Sequence, residues 1–184
     1  MKNALILHGT GDSSKANWFG WLGKQLEKKD WKVWIPDLPR AEKPNIQKYN
    51  KHILANKKWE FGEDSVIIGH SSGAVATLGL LQVLPDGVRV DTCYLVGVFR
   101  DDLGWEALDE LFNESFDYEK IRASAKRFVF VHSDNDPYCP LEHAEYLSEK
   151  LGGELIVMSG EKHFSISTVG DKYEQFPELL EMIG

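Results

Sequence analysis

Short apolar runs rich in β-branched residues alternate with amphipathic segments along the whole sequence. Most of these runs are apolar throughout, which is typical of strands buried on both faces of a parallel sheet. The alternation therefore predicts a parallel β-sheet covered by helices. The predicted strands are Ala4–His8, Lys32–Ile35, Ser65–Gly69, Thr92–Val98, Arg127–His132 and Glu154–Met158. The predicted helices cover residues 18–29, 45–58, 72–83, 105–112, 140–151 and 172–182.

The length of the chain limits the number of domains, and its net charge limits the kinds of partner it can bind. The 184 residues suffice for one domain with a sizeable core and are too few for two, so residues 1–184 are predicted to form a single domain. The net charge is −8 and the basic residues are scattered, which disfavours binding to nucleic acid or to an anionic membrane. No run is long and apolar enough to span a bilayer, and the two cysteines make no disulfide framework. A cytoplasmic location is therefore expected.

The third predicted strand leads directly into Gly69-His70-Ser71-Ser72-Gly73, a G-x-S-x-G pattern at the start of the third predicted helix. A chain that turns from strand to helix over one residue strains that residue and exposes its side chain. Glycines two positions to either side leave room for strand and helix to approach closely. The pattern therefore predicts Ser71 as a nucleophile. A glycine-rich turn without chemistry is the alternative.

Groups that could activate Ser71 follow the last two predicted strands. A serine hydroxyl is a poor nucleophile until a base takes its proton, and a third group must orient that base. In serine enzymes with this strand–turn–helix arrangement the chain order is Ser, acid, His. Asp134 and Asp136 follow the fifth strand, and His163 follows the sixth. Asp136 is preferred because it lies at the crest of its loop, although either aspartate could instead cap local N–H groups.

The choice of His163 as the base comes from the positions of the six histidines. His163 follows the last predicted strand in an exposed loop, and a surface histidine without chemistry is the alternative reading. The others are expected to face solvent from helices (His52 and His143), to brace loops at strand ends (His8 and His132), or to point away from Ser71 (His70).

Two backbone N–H groups are candidates to stabilise the negative oxygen of a tetrahedral intermediate, which needs preorganised donors. The N–H of Ser72 lies at the positive end of the helix that begins there. The second donor is expected in the loop after the first strand, His8-Gly9-Thr10-Gly11, where the Thr10 N–H is the best candidate. A glycine turn that only connects two elements is the alternative.

Six blocks distributed over nearly the whole chain carry a resemblance to one family. They are His8–Asp12, Asn17–Leu22, Pro36–Pro39, Gly69–Ala74, Asp136–Pro137 and Gly160–Phe164. Together they are similar to the retinoblastoma-binding-protein-nine-like family of small serine hydrolases, within the α/β-hydrolase superfamily. The resemblance implies a three-layer α/β/α fold, a compact α/β-hydrolase core with about six parallel strands in the order 2-1-3-4-5-6 and no large cap domain. It also implies that Ser71, Asp136 and His163 form a catalytic triad.

The resemblance does not extend to the retinoblastoma protein as a partner. That interaction relies on a Leu-x-Cys-x-Glu motif, and neither Cys93 nor Cys139 lies in such a motif. The retinoblastoma protein is therefore not predicted to bind this chain.

A dinucleotide-binding loop is the strongest competing interpretation. Gly9-Thr10-Gly11 follows the first predicted strand, as the start of G-x-G-x-x-G does. However, Ser14 stands at the third glycine position, and the helix begins only near Trp18. A phosphate would lose the helix N-terminus that should lie beneath it.

The sequence matches known metal-binding patterns less well than it matches the dinucleotide-binding pattern. Asp134, Asp136 and Glu145 have the spacing of a calcium loop, but Cys139 replaces its required glycine. A transition-metal site formed by His132 with Asp134, Asp136 and Cys139 has no second cluster to support it. No cofactor and no metal are therefore predicted.

The predicted function is that of a serine hydrolase that cleaves a small carboxylic ester through an acyl-enzyme on Ser71. Amides and thioesters stay open because they use the same triad, and a non-catalytic binding protein on a hydrolase fold is the alternative. The pocket is expected between the loop after the first strand and residues 99–120, whose acidic residues favour neutral or cationic substrates. Its expected lining residues are Trp18, Trp21, Phe99 and Trp105.

Overall fold

Six parallel strands form one sheet in a computed structural model that describes residues 1–184. The strands are β1 (Asn3–Leu7), β2 (Lys32–Trp34), β3 (Ser65–His70), β4 (Val90–Val96), β5 (Ala125–Ser133) and β6 (Glu154–Met158). Their order is β2-β1-β3-β4-β5-β6, and every neighbouring pair is parallel. The predicted three-layer fold and strand order are confirmed, and no large cap interrupts the core.

Seven α-helices and two 3₁₀ helices connect or follow the strands. The α-helices are α1 (Phe19–Glu27), α2 (Ile46–Leu54), α3 (Ser72–Leu81), α4 (Tyr118–Ala123), α5 (Leu141–Leu151), α6 (Ile166–Val169) and α7 (Pro177–Ile183). The 3₁₀ helices are Glu106–Leu111 and Asp171–Glu174. None of these helices has the length and apolar character needed to cross a membrane.

Alternate residues of each strand enter two cores, one on each face of the sheet. In β1, Leu5 and Leu7 pack in the core under α2, α3 and α5, whereas Ala4 and Ile6 pack in the core under α1 and α7. All four side chains are fully buried. Burial on both faces explains why the central strands are apolar at nearly every position rather than at every second one.

The helix α3 is enclosed on all sides, since all ten of its residues are buried. It packs on β3 and against α2, where Gly79 leaves no room for a side chain beside Ile46. A helix that is apolar all round must be enclosed in this way. This close packing helps to hold the residue before α3 in place.

Two predicted helices differ from the structure. Residues 172–182 do not form one helix, because a 3₁₀ helix ends at Glu174 and α7 begins at Pro177. Proline lacks an N–H and disfavours helical conformation in the residue before it, and Phe176 is accordingly non-helical, with a φ of −143° and a ψ of 74°. The predicted α-helix over residues 105–112 is a 3₁₀ helix, and the short helices α4 and α6 are absent from the sequence prediction.

Candidate active site

Ser71 occupies the turn between β3 and α3 in a strained backbone conformation. Its φ is 56° and its ψ is −124°, a sparsely populated region for a residue with a Cβ. The Ser71 N–H donates to the carbonyl of Val96 at 2.8 Å, which ties the turn to the end of β4. The Ser71 side chain borders a pocket. The turn therefore has the geometry that the G-x-S-x-G pattern predicts.

The two glycines of the pattern lie where backbone approaches backbone. A Cβ added to Gly69 would lie 2.5 Å from the carbonyl oxygen of Gly73. A Cβ added to Gly73 would collide with the carbonyl oxygen of Leu7. A side chain at either position would push α3 away from the sheet, so the glycines allow the helix to hold Ser71 in place.

Asp136 and His163 form a buried pair in which Nδ1–H of His163 donates to Oδ2 of Asp136 at 2.7 Å. Their side chains are only 1% and 8% exposed, respectively. The other oxygen of Asp136 accepts from the backbone N–H groups of Tyr138 and Cys139, at 2.9 and 3.0 Å. Burial by itself raises the pKa of Asp136, but these hydrogen bonds and the nearby imidazole lower it further than burial raises it. The charged carboxylate holds the proton on Nδ1, which leaves Nε2 free to accept another.

The structure brings Ser71 and His163 to the same pocket, which has a volume of about 260 Å³. Gly97, at the end of β4, makes room for the imidazole, because a Cβ there would lie 3.1 Å from Cε1 of His163. No hydrogen bond joins Ser71 Oγ to His163, and in such sites this contact is often long until substrate binds. The three predicted triad residues thus lie at one edge of the sheet.

Thr10 and Ser72 face each other beside this turn, with the Thr10 hydroxyl donating to Ser72 Oγ at 2.9 Å. The backbone N–H of neither residue donates to an acceptor in the protein. Ser72 is the first residue of α3, where the helix dipole favours negative charge. Both N–H groups are therefore available to an anionic oxygen bound next to Ser71.

Asp134, the other candidate acid, contacts a different loop. Its Oδ1 accepts from the Gly160 N–H at 2.8 Å, and its Oδ2 accepts from the Ser159 hydroxyl at 2.7 Å. These bonds join the loop after β5 to the loop after β6, so Asp134 fixes the segment that carries His163. Of the two aspartates, Asp136 is the one that contacts the imidazole.

Three histidines have the structural positions expected of them. His8 Nε2 accepts from the Leu38 N–H at 2.9 Å, and His132 Nε2 donates to the Cys139 carbonyl at 2.9 Å. His52 is exposed on α2. The first two therefore brace loops at strand ends, as expected.

The expectation that His143 faces solvent is wrong. His143 is buried on α5, where its Nδ1 accepts from the Arg100 N–H at 3.4 Å and its Nε2 lies 3.5 Å from a carboxylate oxygen of Asp101. The guanidinium of Arg100 also lies over the ring of Tyr146 on the same helix. The segment after β4 packs over this face of α5, and burial lowers the pKa of His143.

His70 has a contact that the sequence does not reveal. Its Nε2–H donates to the backbone carbonyl of His163 at 2.8 Å, and the two rings lie 4.8 Å apart between centroids. Burial lowers the pKa of His70 to about 3, so the ring is neutral. The Nδ1 atom of His70 is then a hydrogen-bond acceptor. This atom is buried and receives no hydrogen bond from the protein. His70 therefore supports His163 from the residue next to Ser71.

The pocket has one apolar wall and one polar wall. The segment after β4 and the loop after β5 provide the apolar wall, and the loops after β1 and β6 provide the polar one. The apolar lining residues are Phe99, Leu103, Trp105, Leu108 and Tyr138, and the polar ones include Asp12, Ser165 and Ser167. Two of the aromatic residues predicted to line the pocket, Phe99 and Trp105, do so.

Trp18 and Trp21 do not line the pocket, so that part of the prediction is wrong. Trp18 is fully buried in the core under α1, and its indole N–H donates to the Phe164 carbonyl at 3.0 Å. It therefore holds the residue that follows His163 rather than contacting a substrate. Trp21 packs at the edge of the same core.

Asp12 is a partly buried carboxylate in the polar wall. Its Oδ2 accepts from the side-chain amide of Asn17 at 3.0 Å. Asn17 in turn accepts from the Ile166 N–H at 2.9 Å, which links the loop after β1 to the loop that contains His163. Burial raises the pKa of Asp12, although the charges of His8 and His163 act in the opposite direction.

One group of metal-ligand side chains, Asp136, Cys139 and His163, has its donor atoms within 4.8 Å of one another. Burial raises the pKa of the Cys139 thiol well above its ordinary value, so the thiol stays protonated and is a poor ligand. Asp136 and His163 are already joined by their hydrogen bond. This set of donors suits proton transfer better than metal binding.

A protein-family model described as Serine hydrolase matches residues 4–183, nearly the whole chain. The chain is 28% identical over 164 residues to the YdeN protein of Bacillus subtilis (strain 168), covering 89% of this chain and 86% of that protein. It is 26% identical over 183 residues to the serine hydrolase RBBP9 of Rattus norvegicus, covering 96% and 89% of the two chains.

Solved structures share the fold. The crystal structure of the ydeN gene product from B. subtilis matches with a TM-score of 0.91 and 24% identity, over 100% of this chain and 97% of that one. An extracellular alpha/beta-hydrolase from a Paenibacillus species matches with a TM-score of 0.70 and 14% identity, over 100% and 98% of the chains. At these identities the structural likeness shows the fold alone.

Proposed function

The chain belongs to the serine hydrolase family and is a hydrolase of the α/β-hydrolase fold, and we propose that it cleaves small carboxylic esters through an acyl-enzyme on Ser71. The observation that carries the proposal is the 2.7 Å hydrogen bond from His163 to Asp136, beside the strained turn at Ser71. A weak hydroxyl nucleophile needs a base, and that base needs a third group to orient it. Asp136 supplies that orientation.

In the proposed mechanism Ser71 Oγ attacks the ester carbonyl and His163 Nε2 takes the hydroxyl proton. Asp136 keeps the other proton on Nδ1 and stabilises the imidazolium that forms. The C–O bond to the leaving group then breaks, and His163 gives its proton to the departing alcohol. A water molecule, activated by the same imidazole, attacks the acyl-enzyme and releases the carboxylic acid.

The N–H groups of Thr10 and Ser72 are the proposed donors to the tetrahedral oxyanion. Neither has an acceptor in the protein, so no existing bond must break when the oxyanion forms. A single donor of this kind contributes about 3 kcal/mol to transition-state stabilisation. The position of Ser72 at the N-terminus of α3 adds the favourable end of the helix dipole.

The pocket favours a small acyl group. Its volume of about 260 Å³ and its apolar wall of Phe99, Leu103 and Leu108 suit a short or branched hydrocarbon chain. A Ser-His-Asp triad can in general act on esters, thioesters and amides alike. A panel of p-nitrophenyl esters of increasing chain length, beside amides of the same acids, would determine which class is turned over and what length the wall accepts.

Labelling with a fluorophosphonate tests the proposal most simply. The wild-type protein should gain one phosphonyl group by intact mass, and Ser71→Ala should abolish labelling and lower p-nitrophenyl acetate turnover at least about 10³-fold. Ser13→Ala removes an exposed serine from the loop after β1 and should keep both activities. Folded wild-type protein that is neither labelled nor active would favour a non-catalytic binding protein on a hydrolase fold.

A further inference from the structure

Four consecutive residues at the end of β5 and in the loop after it, Ser133–Asp136, all contact the loop after β6. Asp136 contacts the imidazole of His163, and the proposed triad uses only this contact. The other three side chains accept backbone N–H groups: Asp134 from Gly160 at 2.8 Å, Ser133 from Glu161 at 2.9 Å and Asn135 from Lys162 at 2.8 Å. None of these N–H groups donates to a backbone carbonyl. Side chains of Ser133–Asp136 therefore hold the whole segment that precedes the proposed base.

The backbone on both sides of His163 is strained. Lys162 has a φ of 48° and Phe164 a φ of 52°, in the left-handed region that residues with a Cβ rarely adopt. Such conformations cost free energy and persist only where surrounding contacts hold them. Without those contacts the loop would relax to a more favourable conformation, and the imidazole would move relative to Ser71.

Three side chains from separate parts of the chain hydrogen-bond to the peptide groups of residues 162–164, and they are Asn135, His70 and Trp18. His70 and Trp18 are buried, so that a smaller residue at either position would leave a cavity in the core. Asn135 is exposed and does not line the pocket. Its contact with the loop can therefore be removed without a cavity and without a change in the pocket lining.

We propose that Asn135 is a positioning residue for His163 and acts on it through the backbone of Lys162. The Ser133 hydroxyl donates to Asn135 Oδ1 at 2.9 Å, which orients the oxygen that the Lys162 N–H meets. The imidazole must come within hydrogen-bond reach of Ser71 Oγ to take its proton. A displacement of about 1 Å can cost about 100-fold in rate. This inference rests on the proposed function of Ser71 and His163.

Substitution of Asn135 tests the role through kcat per active site, with the active sites counted by fluorophosphonate labelling carried to completion. Asn135→Ala removes the acceptor, and kcat for p-nitrophenyl acetate should fall about 10- to 100-fold. KM should stay within about threefold of the wild-type value, because Asn135 does not line the pocket. Asn135→Asp keeps an oxygen that can accept from the Lys162 N–H, so its kcat should stay within about threefold of wild type.

A second asparagine provides the matched control. Asn56 Oδ1 also accepts from a backbone N–H, that of Lys58 at 3.1 Å, in the loop after α2, and Asn56 does not line the pocket. Asn56→Ala removes the same kind of bond and should keep kcat per active site within about twofold of wild type. Equal losses in Asn56→Ala and Asn135→Ala would overturn the positioning role.

The labelled fraction separates positioning from a merely structural role of Asn135. A structural role would lower the fraction of protein that is labelled in Asn135→Ala and leave kcat per labelled site unchanged, which would overturn the inference. An Asn135→Asp variant as slow as Asn135→Ala would also overturn it. In both cases the proposed function stands if wild-type protein is labelled at Ser71 and active. Folded wild-type protein that is neither labelled nor active would overturn both.

Discussion

Asp134 and Asp136 lie two residues apart in the loop after β5, yet their carboxylates have different partners. Asp136 accepts the Nδ1–H of His163, whereas Asp134 accepts from Gly160 and Ser159. The position of Asp136 at the crest of the loop favoured it from the sequence, but Asp134 stayed open because both are turn aspartates in the same loop. The direction of each side chain determines which aspartate contacts His163. For Asp136, the backbone N–H groups of residues 138 and 139 fix that direction.

The two aspartates form a matched pair of substitutions. Asp136→Asn keeps the shape of the side chain but favours the wrong tautomer of His163, so kcat for ester hydrolysis should fall about 10⁴-fold. Asp134→Asn leaves the contact with His163 in place and should lower kcat less than about tenfold. Steady-state kinetics on one ester would check both variants, and equal losses would contradict the assignment of Asp136.

A buried neutral histidine makes stability depend on pH. Burial lowers the pKa of His70 from 6.5 to about 3, so between these values the unfolded chain binds a proton that the folded protein does not. The contribution of His70 is therefore complete above about pH 6.5 and is lost progressively as the pH falls towards 3. The slope from this residue is at most about 1.4 kcal/mol per pH unit.

Substitution of His70 isolates this effect. His70→Gln keeps an N–H that can donate to the His163 carbonyl but removes the titrating ring. Between pH 4.5 and 6.5, the free energy of unfolding should fall less steeply with decreasing pH in the variant than in the wild type. Urea unfolding at several pH values would measure both slopes, and parallel slopes would show that His70 is not the group that titrates.

The residues that sequence reasoning missed are those whose role depends on packing between loops. Ser71 and His163 could be predicted, because a motif and a chain order mark them. The role of His70 depends on the carbonyl of His163, which is 93 residues away in the sequence. His143 faces inwards because residues 100 and 101 pack over α5. No periodicity within a single segment records such contacts.

Among the elements, α3 is buried at all ten of its residues. Its N-terminus lies so close to β1 that Gly73 has no room for a Cβ beside the carbonyl oxygens of Leu7 and His8. This approach places the first N–H of the helix next to Ser71. The geometry of the turn is thus a property of how the helix packs on the sheet, and a change in that packing should alter both stability and activity.

Gly73 and Gly20 are a matched pair for testing this packing. Gly73→Ala should lower the free energy of unfolding by about 3 kcal/mol or more, because the helix must move away from β1. In α1, a Cβ on Gly20 would meet nothing within 4 Å, so Gly20→Ala should raise stability by up to about 1 kcal/mol. Urea unfolding would compare them. A loss near zero for Gly73→Ala would contradict the close approach of helix and strand.

The strands could be predicted from the sequence more reliably than the helices. Each strand is an apolar run bounded by turn residues, and burial on both faces makes that signal continuous. The prediction of one helix over residues 172–182 is wrong because the apolar spacing continues across Pro177, whereas a helical backbone cannot continue through this proline. The helix α4 has six residues, which is too short for a helical period to be recognised.

At the scale of the whole molecule, one sheet separates two cores that share every central strand. Trp18 and Trp31 belong to the core under α1 and α7, whereas Trp59 belongs to the core under α2 and α3. Loss of either core would expose one face of the same apolar strands. We therefore expect residues 1–184 to unfold as a single cooperative unit, in keeping with the predicted single domain.

Coincident unfolding curves would check this expectation. Urea unfolding followed by tryptophan fluorescence and by far-UV circular dichroism should give one transition with the same midpoint and slope for both probes. The tryptophans report on both cores, and the circular dichroism reports on the secondary structure of the whole chain. Two separated transitions would show that the cores unfold independently.

A crystal structure of the protein after reaction with a fluorophosphonate tests the central claim most directly. The claim is that one site brings together Ser71, His163 and the backbone N–H groups of Thr10 and Ser72. The account predicts phosphorus bonded to Ser71 Oγ, with the phosphonyl oxygen about 3 Å from the backbone nitrogens of Thr10 and Ser72. The imidazole of His163 should lie next to the phosphonyl group and still donate to Asp136. Phosphorus on another residue, or a phosphonyl oxygen that faces away from both N–H groups, would contradict it.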